Sequence, residues 1–333
     1  MKKIEYYGTL GPSCCKEDCI RKMLENGMTG MRLNLSHKSL RESSEWIRNF
    51  HTACEKTEKK ADLLIDLMGP EIRIGVLSEE KELKEGEDTF FGEGGIPVSE
   101  HVRIQLSEGQ KVLLDDGKIE LEIVEKKEDR TVCRVIRGGI LRSRKSLAVP
   151  GAAIHTPALT KEDLLNLSHA EEYGVTAVML PFVRSAEDLL NLKRILKENG
   201  TEKIRIYAKI ENEEGVEKLR ELIPECDCIV IARGDLGNAV SLLKLPAVQQ
   251  KIASICREQG ASFMVVTELL ASMAERPVPT RAEVNDIFHA VTDGADALML
   301  TGETAAGKYP VEAMKLLVDM GEEACSQRKR AEF

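Results

Sequence analysis

Short apolar runs and longer amphipathic stretches alternate along the chain, and their spacing predicts its elements. Residues 4–9, 29–33 and 61–66 are brief apolar segments of strand length. Residues 16–26 have helical spacing. Ser39-Leu-Arg-Glu42 has the spacing of a capping box, which predicts the start of a helix carrying Trp46. From about residue 74 to residue 149 the texture changes to charge, glycine and short alternating segments. Val102-Arg-Ile-Gln-Leu106 and Ile119-Glu-Leu-Glu-Ile123 have period two, which predicts half-buried strands in a separate β module, and Asp115-Asp116-Gly117 predicts a turn. After Pro150 the first rhythm returns. Strands are predicted at 175–180, 204–209, 228–232, 263–266 and 297–300, with helix starts at Thr160, Ser185, Thr280 and Pro310.

Three strands precede the insert and five follow it, each leading into a helix, the third by way of the insert. Without residues 74–149 the chain has about 257 residues, close to the ~250 of an eight-fold β/α barrel. A doubly wound sheet would carry a glycine-rich phosphate fingerprint after its first strand, and Gly8-Thr-Leu-Gly11-Pro12 lacks that spacing. The expected fold is α/β: an eight-fold β/α (TIM-type) barrel formed by residues 1–73 and 150–333, interrupted after strand three by a small β domain at 74–149.

Composition narrows the function. Of 333 residues, 42% are hydrophobic and 31% charged, which excludes a disordered chain, and the net charge of -9 argues against a nucleic-acid partner. No apolar run approaches the ~20 residues of a membrane span, and the N-terminus has no signal-like apolar stretch, so a cytoplasmic protein without a membrane partner is expected. The nine cysteines are odd in number and lack paired zinc spacing; Cys226-Asp-Cys228 is too tight, and reduced thiols are the expectation.

In barrels of this kind the reactive groups stand at the C-terminal ends of the strands. Those positions here hold Arg32, Asn34, Ser36 and His37 after strand two, and Asp66, Glu71 and Arg73 after strand three. Strand five ends in Lys209 and Glu211, strand six in Arg233, Gly234 and Asp235, strand seven in Thr267 and Glu268, and strand eight in Thr301 and Glu303. Capping would account for some of these, but not for both charge signs converging from so many strands. Glu211 and Asp235 follow neighbouring strands, so their carboxylates can approach one point, a donor pair that suits Mg²⁺. Lys209 lies two residues before Glu211 and faces the same side. With Arg32 and Arg73 it predicts an anionic substrate, particularly a phosphoryl group in transit.

At these positions the sequence resembles the pyruvate kinase family. The resemblance rests on Met31-Arg-Leu-Asn-Leu-Ser-His37, Met68-Gly-Pro-Glu-Ile-Arg73, Lys209-Ile-Glu-Asn212, Ala232-Arg-Gly-Asp-Leu-Gly237, Pro279-Thr-Arg-Ala-Glu283 and Thr301-Gly-Glu-Thr-Ala305, in the family's order, and runs from about residue 4 to residue 324. It implies a barrel interrupted by a mobile β-barrel lid, and glycolytic phosphoryl transfer from phosphoenolpyruvate to ADP, giving pyruvate and ATP with Mg²⁺ (or Mn²⁺) and K⁺. By motif, Lys209 would stabilise the phosphoryl in transfer. Glu211 and Asp235 would hold the divalent ion. Gly234, Asp235 and Thr267 would bind the substrate carboxylate, with Arg32 on its phosphate. Arg73, His37, Lys145 and Asp116 would serve the nucleotide. Asn34, Ser36, Asp66 and the Leu67 carbonyl would ligate K⁺, with Glu71 typical of potassium-dependent members. Thr301 and Glu303 would belong to proton delivery, together with Thr267 and Lys209 in the catalytic set.

The chain departs from the family pattern at Leu67, Met68, Ala148, Pro181, Asn238, Ala239, Glu268, Ala271 and His289, though none removes an implied metal ligand, since Leu67 would ligate through its carbonyl. It also stops before the family's C-terminal allosteric domain, so control by a sugar bisphosphate is not expected, whereas a homodimer through barrel helices is. Two alternatives stand beside the kinase: a paralogue acting on another oxo acid, such as oxaloacetate decarboxylation, and a non-catalytic phosphoenolpyruvate or nucleotide sensor.

Overall fold

The computed structural model describes residues 3–70, 72–115, 117–150 and 157–331. Glu71 and Asp116 lie outside the described residues. The chain divides into two compact units: Met1–Gly69, Ala158–Leu236 and Leu243–Phe333 form the first, and Pro70–Pro157 with Gly237–Leu242 form the second.

The first unit is a closed barrel of eight parallel strands, Glu5–Thr9, Gly30–Asn34, Asp62–Asp66, Ala177–Leu180, Arg205–Ile210, Cys228–Ala232, Phe263–Val266 and Ala297–Met299, here numbered one to eight. Each pairs with its sequence neighbours, and strand one closes on strand eight. The period-two alternation of strands decides which side chains face the axis. Tyr7, Leu64, Met179, Tyr207, Val230 and Met264 share one buried interior cluster. Tyr7 fills the space beside Gly30, where a Cβ would stand 2.2 Å from the Tyr7 ring. Only glycine fits there. The alternate residues, such as Met31, Leu33, Leu63 and Ile65, are fully buried as well, as expected for strands covered on both faces.

Helix starts follow their caps. Thr160 and Thr280 each form a complete capping box, with Asp163 and Glu283 respectively. Ser39 and Glu42 also make reciprocal contacts, but they close only a turn, and the helix with Trp46 begins later, at Ser44–Thr57. Ser185 provides no side-chain cap; Asp188 instead accepts from the Arg184 N–H at 3.0 Å.

The second unit holds a five-stranded antiparallel sheet in the order Leu147–Ala148, Lys111–Leu114, Ile119–Lys126, Arg130–Arg137, Asp88–Gly92, and a two-stranded sheet of Lys81–Leu83 with Gly139–Leu141. Ile119, Leu121 and Ile123 face its core, as their alternation predicts. Among the described residues the sheets are open, so the expected small β barrel is not closed. The expected strand at 102–106 is a helical turn, Glu100–Arg103. Ser99 accepts from the Val102 and Arg103 N–H groups, and Val102 and Leu106, four apart, are buried while Ile104 is exposed. Three apolar residues at alternate positions fit either period when one of them faces water.

The neck of this unit is itself paired. Ile74 N–H donates to the Lys145 carbonyl at 2.9 Å, Leu147 N–H to Ile72 at 2.7 Å and Arg144 N–H to Gly75 at 3.1 Å. This pairing places Arg73 in the second unit, so the units divide a few residues outside the 73/74 and 149/150 boundaries expected from sequence.

Candidate active site

The C-terminal ends of strands two, three and five bring four charges together. Arg32 donates from Nε and Nη2 to one oxygen of Asp66, Oδ2, at 2.9 and 2.6 Å, and Lys209 Nζ reaches the same oxygen at 3.2 Å. Lys209 Nζ also lies 3.0 Å from Glu211 Oε1, while Glu211 Oε2 accepts from the Phe182 N–H at 2.8 Å. Asp66 and Glu211 are 1% and 2% exposed, so these ion pairs stand out of water. Such pairs persist only when the remaining polar atoms are satisfied or reserved for a ligand. Here one atom is left open: Asp66 Oδ1 is buried without a hydrogen-bond partner.

The electrostatics follow from burial and neighbours. Burial works against ionisation of Asp66, but Lys209 and Arg32 outweigh it and hold the carboxyl below its ordinary range. Burial pulls Lys209 down, yet Asp66 and Glu211 keep its ammonium above the ordinary lysine value. Burial pushes Glu211 up; Lys209 opposes this, Asp235 and Asp66 add to it, and the carboxyl rests at about 7. Three carboxylates and two cations leave an excess of negative charge centred on Glu211 and Asp235.

That excess fits a divalent cation. Among the described residues no cluster of three or more His, Cys, Asp or Glu side chains forms a metal cage. Magnesium held by two carboxylates completes its shell with water and substrate oxygens, so the donor set suits an ion that binds together with an anion. A monovalent ion fits the orphaned Asp66 Oδ1. Asn34 lies directly across the ladder from Asp66, and its Oδ1 accepts from the Ser36 N–H at 3.1 Å. Leu67 follows Asp66, its N–H donating to Met179 at 3.1 Å. His37 is exposed just beyond Ser36.

The other side of the barrel mouth is organised by backbone. Thr267 and Glu268 have φ of 78° and 56°, two consecutive non-glycine residues in the left-handed region. Each costs about 1–3 kcal/mol and persists only where surrounding contacts fix it. Arg233 donates to the Thr267 carbonyl, and Glu303 accepts from the Leu270 N–H at 3.1 Å and the Thr301 N–H at 2.8 Å. Glu303, expected in proton delivery, thus ties the loop after strand seven to the end of strand eight, with the Thr301 hydroxyl 3.3 Å from it. A Cβ on Gly234 would stand 3.2 Å from Thr267 Cγ2, so glycine permits the close approach of strands six and seven.

In the second unit, Arg73 bridges Ser146 and donates to the Arg144 carbonyl at 2.9 Å, and Lys145 pairs with Asp115 at 2.6 Å. The two cations expected at the nucleotide are therefore neighbours.

The sequence did not single out three supports. Asp163 closes its capping box and also accepts from the Met68 and Gly69 N–H groups at 2.8 and 3.0 Å, fixing the chain just past strand three. Thr9 meets Arg32 Nη1 at 3.3 Å, and Thr304 in turn donates to the Thr9 carbonyl. The capping spacing of Asp163 was readable; its second set of partners was not.

Comparison with known proteins agrees with the barrel fold. The family description "Pyruvate kinase, barrel domain" matches residues 1–314. The chain is 36% identical over 327 residues to pyruvate kinase of Geobacillus stearothermophilus, covering 95% of this chain and 56% of that protein. It is 37% identical over 324 residues to that of Aeropyrum pernix, covering 96% and 70%. For that of Thermotoga maritima the identity is 37% over 342 residues, covering 100% and 72%. The chain thus spans between about half and three quarters of these relatives' lengths, and with its barrel matched from residue 1 to residue 314 it belongs to the pyruvate kinase family.

Proposed function

We propose that this chain transfers a phosphoryl group from phosphoenolpyruvate to ADP, giving pyruvate and ATP as a glycolytic step. The observation that carries the reading is the Lys209 ammonium fixed between Asp66 and Glu211, at 3.2 and 3.0 Å. A buried cation held by two carboxylates is preorganised for charge that develops on a phosphoryl group in transit and needs no reorganisation to meet it.

The remaining roles are those the family resemblance implies, and the geometry described above supports several of them. Backbone N–H groups of Gly234 and Asp235, at the start of helix Arg233–Val240, and the Thr267 hydroxyl receive the substrate carboxylate. Arg32, anchored by Asp66, faces the substrate phosphate. Glu211 and Asp235 would hold Mg²⁺ (or Mn²⁺), which would supply Lewis-acid stabilisation of substrate oxygens. Asn34, Ser36, Asp66 and the Leu67 carbonyl would hold K⁺. Thr301, hydrogen-bonded to Glu303, is assigned with it to proton delivery to the enolate, as the resemblance implies. By the same resemblance the second unit is proposed as a lid domain, and Arg73, Lys145, His37 and Asp116 would serve the nucleotide.

A homodimer through barrel helices is proposed as well, supported by solvent-exposed Val278, Val284 and Phe288 along and before helix Arg281–Thr292. A cytoplasmic location is proposed too; among the described residues no helix is long and apolar enough to cross a membrane.

The test is ADP-dependent pyruvate formation from phosphoenolpyruvate, measured with Mg²⁺ and with K⁺ present, replaced by a large organic cation, or absent. Turnover that requires both ions is the expected result. Phosphoenolpyruvate-independent decarboxylation of oxaloacetate without kinase activity would replace the reading by a paralogue's, and binding without turnover by a sensor's.

A further inference from the structure

The loop that follows strand seven has a conformation its sequence resists, with neither Thr267 nor Glu268 a glycine at positive φ. One side chain grips its backbone. Arg233 Nε and Nη2 both donate to the Thr267 carbonyl, at 3.1 and 2.6 Å. The same guanidinium donates from Nη1 to both oxygens of Asp286 at 2.8 and 2.6 Å, so its orientation is fixed from the far side by helix Arg281–Thr292. A planar fork can make these contacts together, whereas a lysine ammonium at the end of its stem cannot span both acceptors with the same geometry. The Arg233 side chain is only 12% exposed, so the contacts are sheltered from competing water.

Its place in the chain gives the grip a consequence. Arg233 immediately precedes Gly234 and Asp235, whose N–H groups are assigned to the substrate carboxylate, while Thr267 is assigned to the same carboxylate through its hydroxyl. The side chain therefore ties together the two backbone segments that must converge on one ligand group. Gly234 leaves room for the Thr267 methyl at the contact between them.

We propose that Arg233 is a positioning residue for carboxylate recognition, setting the separation of Thr267 from Gly234 and Asp235, with Asp286 holding its guanidinium. The proposal rests on the functional reading above.

The test compares the full chain with Arg233→Lys and Asp286→Asn. Misplacing a binding group by about 1 Å costs about 10²-fold. Arg233→Lys should therefore lower kcat/KM for phosphoenolpyruvate by roughly that factor, mainly by raising its KM, while KM for ADP and the melting temperature stay near wild type. Binding of oxalate with Mg²⁺, followed by calorimetry, should weaken in parallel, a readout that needs no turnover. Asp286→Asn, a half-exposed site that keeps an acceptor, should shift the same two quantities in the same direction by a smaller factor. It also serves if Arg233→Lys fails to fold. Wild-type phosphoenolpyruvate KM and oxalate affinity in the folded variants overturn the proposal, as does an equal loss toward ADP accompanied by a lower melting temperature. A wild-type chain that neither turns over phosphoenolpyruvate nor binds oxalate overturns the functional reading, and this proposal with it, before any substitution is made.

Discussion

The two ends of the barrel carry similar residues in opposite states. At the N-terminal end, Asp62 opens strand three; at the C-terminal end, Asp66 closes it. Arg205, Tyr207 and Lys209 on strand five and Glu211 just past it follow one another at period two. The lower network is complete. Asp62 accepts from Tyr7 Oη at 2.9 Å and from Thr176 Oγ1 at 2.8 Å, and pairs with Arg205, while Tyr7 also reaches Glu5 at 2.9 Å and Tyr207 at 3.2 Å. The upper network is deliberately short of partners: Asp66 keeps one buried oxygen unpaired, and Glu211 is pushed up to about 7. The same residue types therefore satisfy one another at one end and leave a buried oxygen open at the other. What distinguishes the end proposed for chemistry is the unsatisfied carboxylate oxygen beside perturbed charges, not the presence of charge alone.

The comparison breaks first, and most visibly, at its two lysine and arginine positions. Lys209→Ala should cost about 10²–10³-fold or more in kcat, because a preorganised cation is lost from the transition state, with a small change in phosphoenolpyruvate KM. Steady-state kinetics of Arg205→Met on the same strand should show kcat within a small factor of wild type. Comparable losses from both would erase the distinction between the ends.

The second effect is on pH. With the Glu211 carboxyl at about 7, a proton and a divalent cation compete for it in the metal-free protein. Protonation wins as pH falls, so Mn²⁺ affinity should weaken about tenfold per pH unit below about 7 and level off above it. Paramagnetic resonance titration of free Mn²⁺ checks this, and Glu211→Gln should flatten the profile while lowering affinity. A flat profile in the unsubstituted chain would mean that Glu211 is not a ligand.

The smallest effects belong to the sealed end. Tyr207→Phe removes one neutral hydrogen bond and should cost about 1 kcal/mol of unfolding free energy. Arg205→Met should cost about the same, since its side chain is 35% exposed and water screens the pair. Denaturant unfolding measures both, and turnover should be unaffected. A loss of activity without loss of stability would show that the lower network reaches the site.

Much of the fold was legible because strand length, apolar runs and caps are local properties. The strands 228–232 and 263–266 match their predicted bounds, and Thr160 and Thr280 cap as their spacing implies. The late helix start at Ser44 and the helical turn at Glu100–Arg103 were not legible, since a capping-box spacing also closes a turn and five residues cannot separate two periods. At the site, Arg32, Asp66, Lys209, Glu211 and Asp235 stood out because a strand's end fixes where its side chain points. The grips of Arg233 on Thr267, Glu303 on Leu270 and Asp163 on Met68 did not. They join segments separated by 33 residues or more, and no local pattern marks which backbone group a side chain will find.

The paired neck of the second unit also bears on how the barrel is assembled. Strands three and four are ladder partners, yet more than a hundred residues separate Asp66 from Ala177. As a free coil, that segment opposes their meeting by the entropy of closing a long loop. Once residues 72–75 and 144–147 have zipped together, the stretch left to close is about a third as long, which lowers the closure cost by about 1 kcal/mol. The insert would then act during folding as a local staple, maturing before the ring closes. Loosening its neck should slow barrel closure in refolding kinetics more than it speeds unfolding, the signature of a contact already made at the folding transition state.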